Sequence, residues 1–289
     1  MNGLRDADGI LCLLTDPMNE EVLTAAPKLR IISNLAVGYN NIDIAAATRL
    51  GIPVGNTPGV LTEATADLAF ALMIAAARCL RAGLEDIANH KWRTWEPLGY
   101  LGQELTGKTL GIVGLGRIGT ALARRCRGGW SMRVLYHNPR RQLDAERELD
   151  AKFVDIETLL RESDFVSLHC PATPTNRHLM SRAQFQAMKP SAVFVNTARG
   201  ALVDQSALQE ALTEGWIFAA GIDVTDPEPP QPDDPLLQLP NLVVMPHIAS
   251  ATAETRNQMA VLAAENLLAG LAGRPLPNLV NKDVVPRFT

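Results

Sequence analysis

Short apolar runs alternate along this chain with stretches of helical spacing. Residues 9–14 (GILCLL), 30–34 and 52–55 are too short for core helices and predict buried strands. Between them, residues 19–26, closed by Pro27, and 42–50, closed by Gly51, predict helices. An alanine-rich segment follows, and Thr62 is placed to cap a long helix with Glu63 and Asp67 in its first turns. After a loop at residues 91–107 the pattern restarts: a strand in TLGIVGLG, a helix at 118–127, and a strand at 131–136. Further β-prone runs lie at 165–169, 192–196, 219–222 and 242–245, and a second long helix at 253–271. Strand and helix in alternation predict an α/β protein with parallel sheets. Two α/β lobes are expected: residues 1–68 with 252–289, and residues 69–251. The two long helices would serve as the crossings.

Composition narrows the function classes. The 289 residues carry a net charge of −4, so no global basic field draws nucleic acid or anionic lipid. The longest apolar run, residues 68–77, is too short to span a bilayer. Residues 1–10 lack the apolar core of a signal peptide. Cys12, Cys79, Cys126 and Cys170 show neither Cys-x-x-Cys nor metal-ligand spacing and are expected to be reduced apolar residues. Together these features predict a soluble, cytoplasmic protein. Trp92, Trp95 and Tyr100 in the 91–107 loop suggest either a subunit contact or packing on the protein's own surface.

Gly114-Leu115-Gly116-Arg117-Ile118-Gly119 matches G-x-G-x-x-G, follows a predicted strand and opens a predicted helix. A plain glycine turn is the alternative, but in that setting the motif predicts a dinucleotide site with the pyrophosphate on the helix N-terminus. The next strand usually ends in a carboxylate that takes the ribose hydroxyls. Here it ends in YHNPRR: Asn138, Arg140 and Arg141 stand where an acid is expected. Arginines pair with a 2′-phosphate that a carboxylate would repel, so NADP is expected, with NAD and solvated surface arginines as the alternative. RGGWSMRV, just upstream, is one residue longer than usual and leaves the register of this ending open by about one position.

Three polar stretches each follow a predicted strand: Asn196-Thr197-Ala198-Arg199-Gly200, Thr225-Asp226-Pro227-Glu228-Pro229 and Pro246-His247-Ile248-Ala249-Ser250. Open parallel sheets bind ligands at that edge. Arg can hold a carboxylate bidentately, His can donate a proton to a carbonyl oxygen, and Glu can hold the imidazole in its protonated form. Each has an ordinary structural alternative alone; together they point to chemistry.

With AVGYNNID, GIPVGNTPGVLTEATADLAFALMIAAAR, GKTLGIVGLGRIG, LHCPATPTNRHLM, NTARGALVD, GIDVTDPEPP and PHIASAT in that order, the chain resembles the D-isomer-specific 2-hydroxyacid dehydrogenases, and among them the glyoxylate/hydroxypyruvate reductases. The resemblance implies a flavodoxin-like substrate lobe and a dinucleotide-binding Rossmann domain. It implies His247 as acid/base, Glu228 as its carboxylate partner and Arg199 as the ligand of the substrate carboxylate. The N–H groups of Val37 and Gly38 would grip that carboxylate from the other lobe, and Asp223 would take the nicotinamide carboxamide. Thr65, Gly114–Gly119, Cys170, Pro171, Thr175, Thr197, Ala198, His247 and Ser250 would line the cofactor, whereas His90, His169 and His178 stay structural or superficial. The implied reaction is NADPH-dependent reduction of a 2-oxoacid to the D-2-hydroxy acid, with no metal, with lobe closure excluding water, and in a homodimer. An NAD-dependent 3-phosphoglycerate-type dehydrogenase and a non-catalytic, dinucleotide-sensing corepressor-like protein are the alternatives. Family members begin with an extra strand-helix unit before the segment resembling LRDADGILCLL; this chain is expected to lack it, leaving an edge strand.

Overall fold

The computed structural model of the protein describes residues 4–287; residues 1–3, part of the expected N-terminal segment, and 288–289 lie outside the described residues. In chain order the elements are β1 (Gly9–Cys12), α1 (Glu20–Thr24), β2 (Ile31–Asn34), α2 (Ile44–Arg49), β3 (Val54–Gly55), α3 (Thr62–Ala77) and α4 (Leu80–Ala88). Then come β4 (Thr109–Val113), α5 (Arg117–Trp130), β5 (Arg133–His137), α6 (Leu143–Leu149), β6 (Lys152–Phe153), α7 (Ile156–Glu162) and β7 (Phe165–Leu168). The chain finishes with α8 (Arg182–Ala187), β8 (Val193–Asn196), α9 (Gln205–Thr213), β9 (Ala219–Ile222), β10 (Leu242–Val244) and α10 (Ala253–Leu271).

Two compact units result, one up to Leu61 and again from Ser250, the other Thr62–Ala249. The division falls at these positions rather than at residues 68 and 252. All of α3 belongs to the second unit because its buried Ala66, Ala69, Leu72, Met73 and Ala76 join the core formed by β4, β5, β8 and α5.

The first unit is a three-stranded parallel sheet in the order β1-β2-β3. Helix α10 packs on it: Ser33 Oγ donates to the Ala263 carbonyl at 2.7 Å, and Asn266 Nδ2 to the Asn56 carbonyl at 2.9 Å. The segment beyond α10 returns to the sheet, where Asn281 Oδ1 accepts the Val54 N–H at 2.8 Å.

The second unit is a seven-stranded parallel sheet in the order β10-β9-β8-β7-β4-β5-β6. β4, β7, β8 and β9 are buried throughout, which suits strands covered on both faces by helices. From β4 the chain moves outward to β5 and β6, then crosses back to β7 on the other side. This reversal puts a topological switch point at the C-terminal end of β4, where such sheets bind their ligands.

Two sequence expectations fail in instructive places. The first long helix is broken after Ala77, and Cys79 adopts φ +52°. The Ala77 carbonyl, which would accept the next helical N–H, accepts the Gln103 N–H at 2.8 Å from a loop crossing the helix end. The helix after the glycine turn runs on through Gly128 and Gly129 to Trp130, whose ring packs on Phe70 with centroids 4.6 Å apart. Ser131 then closes it in the left-handed conformation, so β5 starts at Arg133 rather than residue 131. The short edge strand β6 was not expected.

Candidate active site

The glycine turn sits at the switch point. Gly114 has φ +100°, and a Cβ there would lie 2.4 Å from the Cys170 nitrogen, so the backbone after β7 presses directly on the turn. A Cβ on Gly119 would meet the Gly114 carbonyl at 2.6 Å. Gly116 is different: a Cβ there meets nothing within 4 Å. It caps α5 without a side chain, so the first N–H groups of that helix face open space suited to a phosphate. Thr197 Oγ1, beyond β8, is buried with no hydrogen-bond partner among the described residues. An open glycine cradle and an orphaned buried hydroxyl on the same sheet edge fit a bound dinucleotide.

Asn138 points back at that turn. Its Oδ1 accepts the Leu115 N–H at 2.7 Å and its Nδ2 donates to the Leu115 carbonyl at 3.4 Å, while the His137 carbonyl accepts the Gly114 N–H at 3.0 Å. The end of β5 is thus tied to the loop after β4. Arg141 lies against Glu146 of α6, with Nε–Oε1 at 3.0 Å and Nη2–Oε2 at 2.5 Å. Tyr136 Oη also donates to Glu146, at 2.5 Å, and accepts the Gln142 N–H at 2.8 Å. Arg141, then Tyr136, hold the Glu146 carboxyl down at about 2. The Arg140 side chain has no hydrogen bond or ion pair among the described residues, and it is exposed.

The other edge carries the acid-base set. His247 Nδ1 and Glu228 Oε1 are 2.5 Å apart, and Glu228 Oε2 accepts the Thr225 N–H at 3.3 Å. Burial alone would raise the Glu228 carboxyl. The His247 hydrogen bond and charge, the Thr225 N–H and the Arg199 charge outweigh it and keep the group below its ordinary value. His247 has φ +55°, a conformation costing an L residue on the order of 1–2 kcal/mol. Asp223 holds it there. Its carbonyl accepts the His247 N–H at 3.0 Å, and its two carboxylate oxygens accept the Ile248 and Ala249 N–H groups at 2.8 Å each. Burial raises the Asp223 carboxyl despite those two donors.

Arg199 is brought beside Glu228 by close backbone contact. A Cβ on Gly200 would stand 1.9 Å from the Thr225 carbonyl oxygen, so only glycine lets the loops after β8 and β9 touch. Asn196, buried at the end of β8, shapes the loop: its Oδ1 accepts the Ala198 N–H and its Nδ2 donates to the Arg199 carbonyl, both at 2.9 Å. Burial lowers the Arg199 guanidinium from its ordinary value and the Glu228 carboxylate opposes that shift. A cationic fork, a carboxylate and an imidazole with one nitrogen engaged and the other left for a substrate therefore meet on one strand edge.

The remaining expected residues fall in place around these two clusters or apart from them. Thr65 is buried in the first turn of α3. Cys170, its thiol pushed up to about 11 by burial, and the exposed Pro171 follow β7. Thr175 Oγ1 bonds Thr173 Oγ1 at 3.0 Å in the same loop, whose Arg177 pairs with Asp226 at 2.7 Å. Val37, Gly38 and Ser250 belong to the first unit. There Asn56 and Asn34 hold the Val37 and Gly38 carbonyls at 2.8 Å each, and the N–H groups of Val37 and Gly38 donate to no protein group among the described residues. His90 and His178 are exposed, and His169 bonds Ser167 Oγ at 2.8 Å. Sequence reasoning missed the positioning parts: Asn196, Gly200, the bracing by Asp223, and Glu146. Gly200 stood in a quoted motif; the partners of Asn196, Asp223 and Glu146 are visible only in three dimensions.

Comparison with known proteins identifies a family. Residues 70–249 match the family described as D-isomer specific 2-hydroxyacid dehydrogenase, NAD binding domain. The chain is 53% identical over 283 residues to a glyoxylate reductase of Korarchaeum cryptofilum, covering 98% of this chain and 85% of that protein. Among solved structures, a Thermus thermophilus protein is 47% identical with a TM-score of 0.90, covering 96% of this chain and 88% of the other. An NADPH-dependent glyoxylate/hydroxypyruvate reductase of Sinorhizobium meliloti is 32% identical with a TM-score of 0.87, covering 99% and 89%.

Proposed function

This chain belongs to the D-isomer-specific 2-hydroxyacid dehydrogenase family and is a nicotinamide-dinucleotide-dependent oxidoreductase acting on CH–OH groups; from that premise we propose that it reduces glyoxylate or hydroxypyruvate with NADPH to the D-2-hydroxy acid. The observation that carries the reading is the 2.5 Å contact between His247 Nδ1 and Glu228, beside Arg199. With Nδ1 committed to a carboxylate, Nε2 is the nitrogen that gives a proton to the substrate's keto oxygen. Glu228 stabilises the charged imidazole before transfer. Arg199 forks onto the substrate carboxylate and offsets the negative charge that builds on the reacting oxygen. The N–H groups after Gly116 would hold the pyrophosphate of a dinucleotide and Arg140 would meet a 2′-phosphate; the dinucleotide would supply the hydride. Asp223 acts first by holding the His247 turn. Val37 and Gly38 present backbone N–H groups of the kind a carboxylate takes.

The same reading makes the chain a homodimer through α4 and the loop after it. Leu84, Trp92, Trp95 and Leu98 are 67%, 63%, 78% and 80% exposed, a density of large apolar groups that marks contact surfaces. Sedimentation at micromolar concentration should give a dimer, and a Trp95→Glu variant a monomer. A cytoplasmic location accords with four unpaired thiols. Activity is tested by following absorbance of NADPH and NADH separately with glyoxylate, hydroxypyruvate and pyruvate. The reading expects oxidation of NADPH with the first two. A folded sample that oxidises neither cofactor with any of them overturns it.

A further inference from the structure

On that reading of the site, we propose that Glu146 sets the cofactor preference: it withholds Arg141 from the adenosine ribose and leaves Arg140 to meet a 2′-phosphate alone. The loop after β5 is pinned at both ends. Asn138 is bonded to Leu115, and the Gln142 N–H to Tyr136 Oη. Between the pins stand the two arginines, and their surroundings differ. Arg141 is held by both oxygens of Glu146, a fork-to-carboxylate geometry that fixes a long side chain. Glu146 is itself fixed by Tyr136, whose ring is wholly buried, and its side chain is only 15% exposed. Arg140 has no such partner. A phosphate approaching Arg141 must displace a carboxylate or share the guanidinium with it, and that carboxylate repels the phosphate directly. Two ribose hydroxyls meet no such repulsion. The acid missing from the end of β5 is thus present a few residues on, in α6, committed to an arginine. A single free arginine opposed by a nearby carboxylate gives a cofactor preference that is modest and adjustable, with NADH retained as a second cofactor.

The test is binding of NADPH and NADH, measured by quenching of protein fluorescence on the full chain, for the wild type, Glu146→Gln, Arg141→Ala and the double variant. Glutamine keeps a hydrogen-bonding partner for Tyr136 while removing the charge. Glu146→Gln should tighten NADPH roughly tenfold, the scale of one charge-assisted hydrogen bond gained, and move NADH less than about twofold. Arg141→Ala should abolish the gain in the Glu146→Gln background. An unchanged ratio of the two Kd values in Glu146→Gln overturns the proposal, as does a gain that persists in the double variant. Should Glu146→Gln fail to fold by circular dichroism, Arg140→Ala decides: it must weaken NADPH about tenfold and leave NADH unchanged, and equal binding of NADPH by variant and wild type overturns the proposal. Turnover with glyoxylate is followed separately. Shifted binding without turnover sinks the reductase reading and leaves this inference standing; turnover with unshifted binding does the reverse.

Discussion

The two polar edges of the second unit are built alike and behave differently. At the β9–β10 edge, every functional group is held more than once. His247 is fixed by Glu228 and by the Asp223 carbonyl, while the Asp223 carboxylate accepts the next two N–H groups, and Arg199 is placed by a loop that Asn196 and Gly200 allow in one geometry. At the β5–α6 edge, Asn138 and Tyr136 fix the loop ends, yet one arginine is bound and the other is not. Proton transfer needs heavy atoms placed within a few tenths of an ångström, so its residues are over-determined. Selecting between a hydroxyl and a phosphate needs only charge within reach, and charge tolerates looser support. The lesson is that redundant bracing holds the acid-base set, while the loop bearing the two arginines leans on one ion pair.

Breaking the braced edge should produce the larger effects. After His247 itself, Arg199→Ala should cost the most, roughly 10²–10³-fold in kcat/KM for glyoxylate, with Arg199→Lys recovering little because a point charge cannot fork. Asn138→Ala attacks the looser edge at one of its two pins. It removes two bonds to Leu115 and should weaken NADPH and NADH equally, by about tenfold, in a direct binding titration. An unequal loss would show that Asn138 reads the ribose rather than bracing the turn. Gly200→Ala should lower unfolding free energy by roughly 1–3 kcal/mol in urea titration, because its Cβ collides with backbone that cannot rotate away. The smallest effect in the working pH range lies between the two edges. Burial pulls the His169 imidazole down from 6.5 to about 4. The unfolded chain therefore takes up a proton below 6.5 that the folded chain refuses. Stability from this group is intact above about 6.5, falls as the pH drops, and levels off below about 4, where both states are protonated. The full span is on the order of 3 kcal/mol, nearly all of it below neutral pH. His169→Gln should flatten that part of a Tm-against-pH curve.

Much of this was legible in residue order. α10 spans the stretch its helical spacing indicated, and, β6 apart, the strands of both sheets fall within a residue or two of the apolar runs. The glycine turn and the strand-end motifs carrying Arg199, Glu228 and His247 were visible because each is a local pattern with its own backbone reason. What residue order hid was partnership. The alanine-rich run at residues 62–77 gives no sign that a loop some 25 residues on will take the Ala77 carbonyl. Asn138 reads as a substitute for a ribose acid until its amide is seen turned toward Leu115. Arg140 and Arg141 are equivalent in sequence, and only the fold of α6 gives one of them a carboxylate. Nonlocal hydrogen bonds separate residues that spacing treats as the same.

The central claim is that His247, held by Glu228, delivers the proton in reduction of a 2-oxoacid. The most direct test is single-turnover oxidation of enzyme-bound NADPH by glyoxylate, comparing wild type with His247→Gln after confirming that both bind NADPH equally. The account predicts intact cofactor binding and an oxidation step slowed roughly 10²–10⁴-fold. Oxidation at the wild-type rate would contradict it.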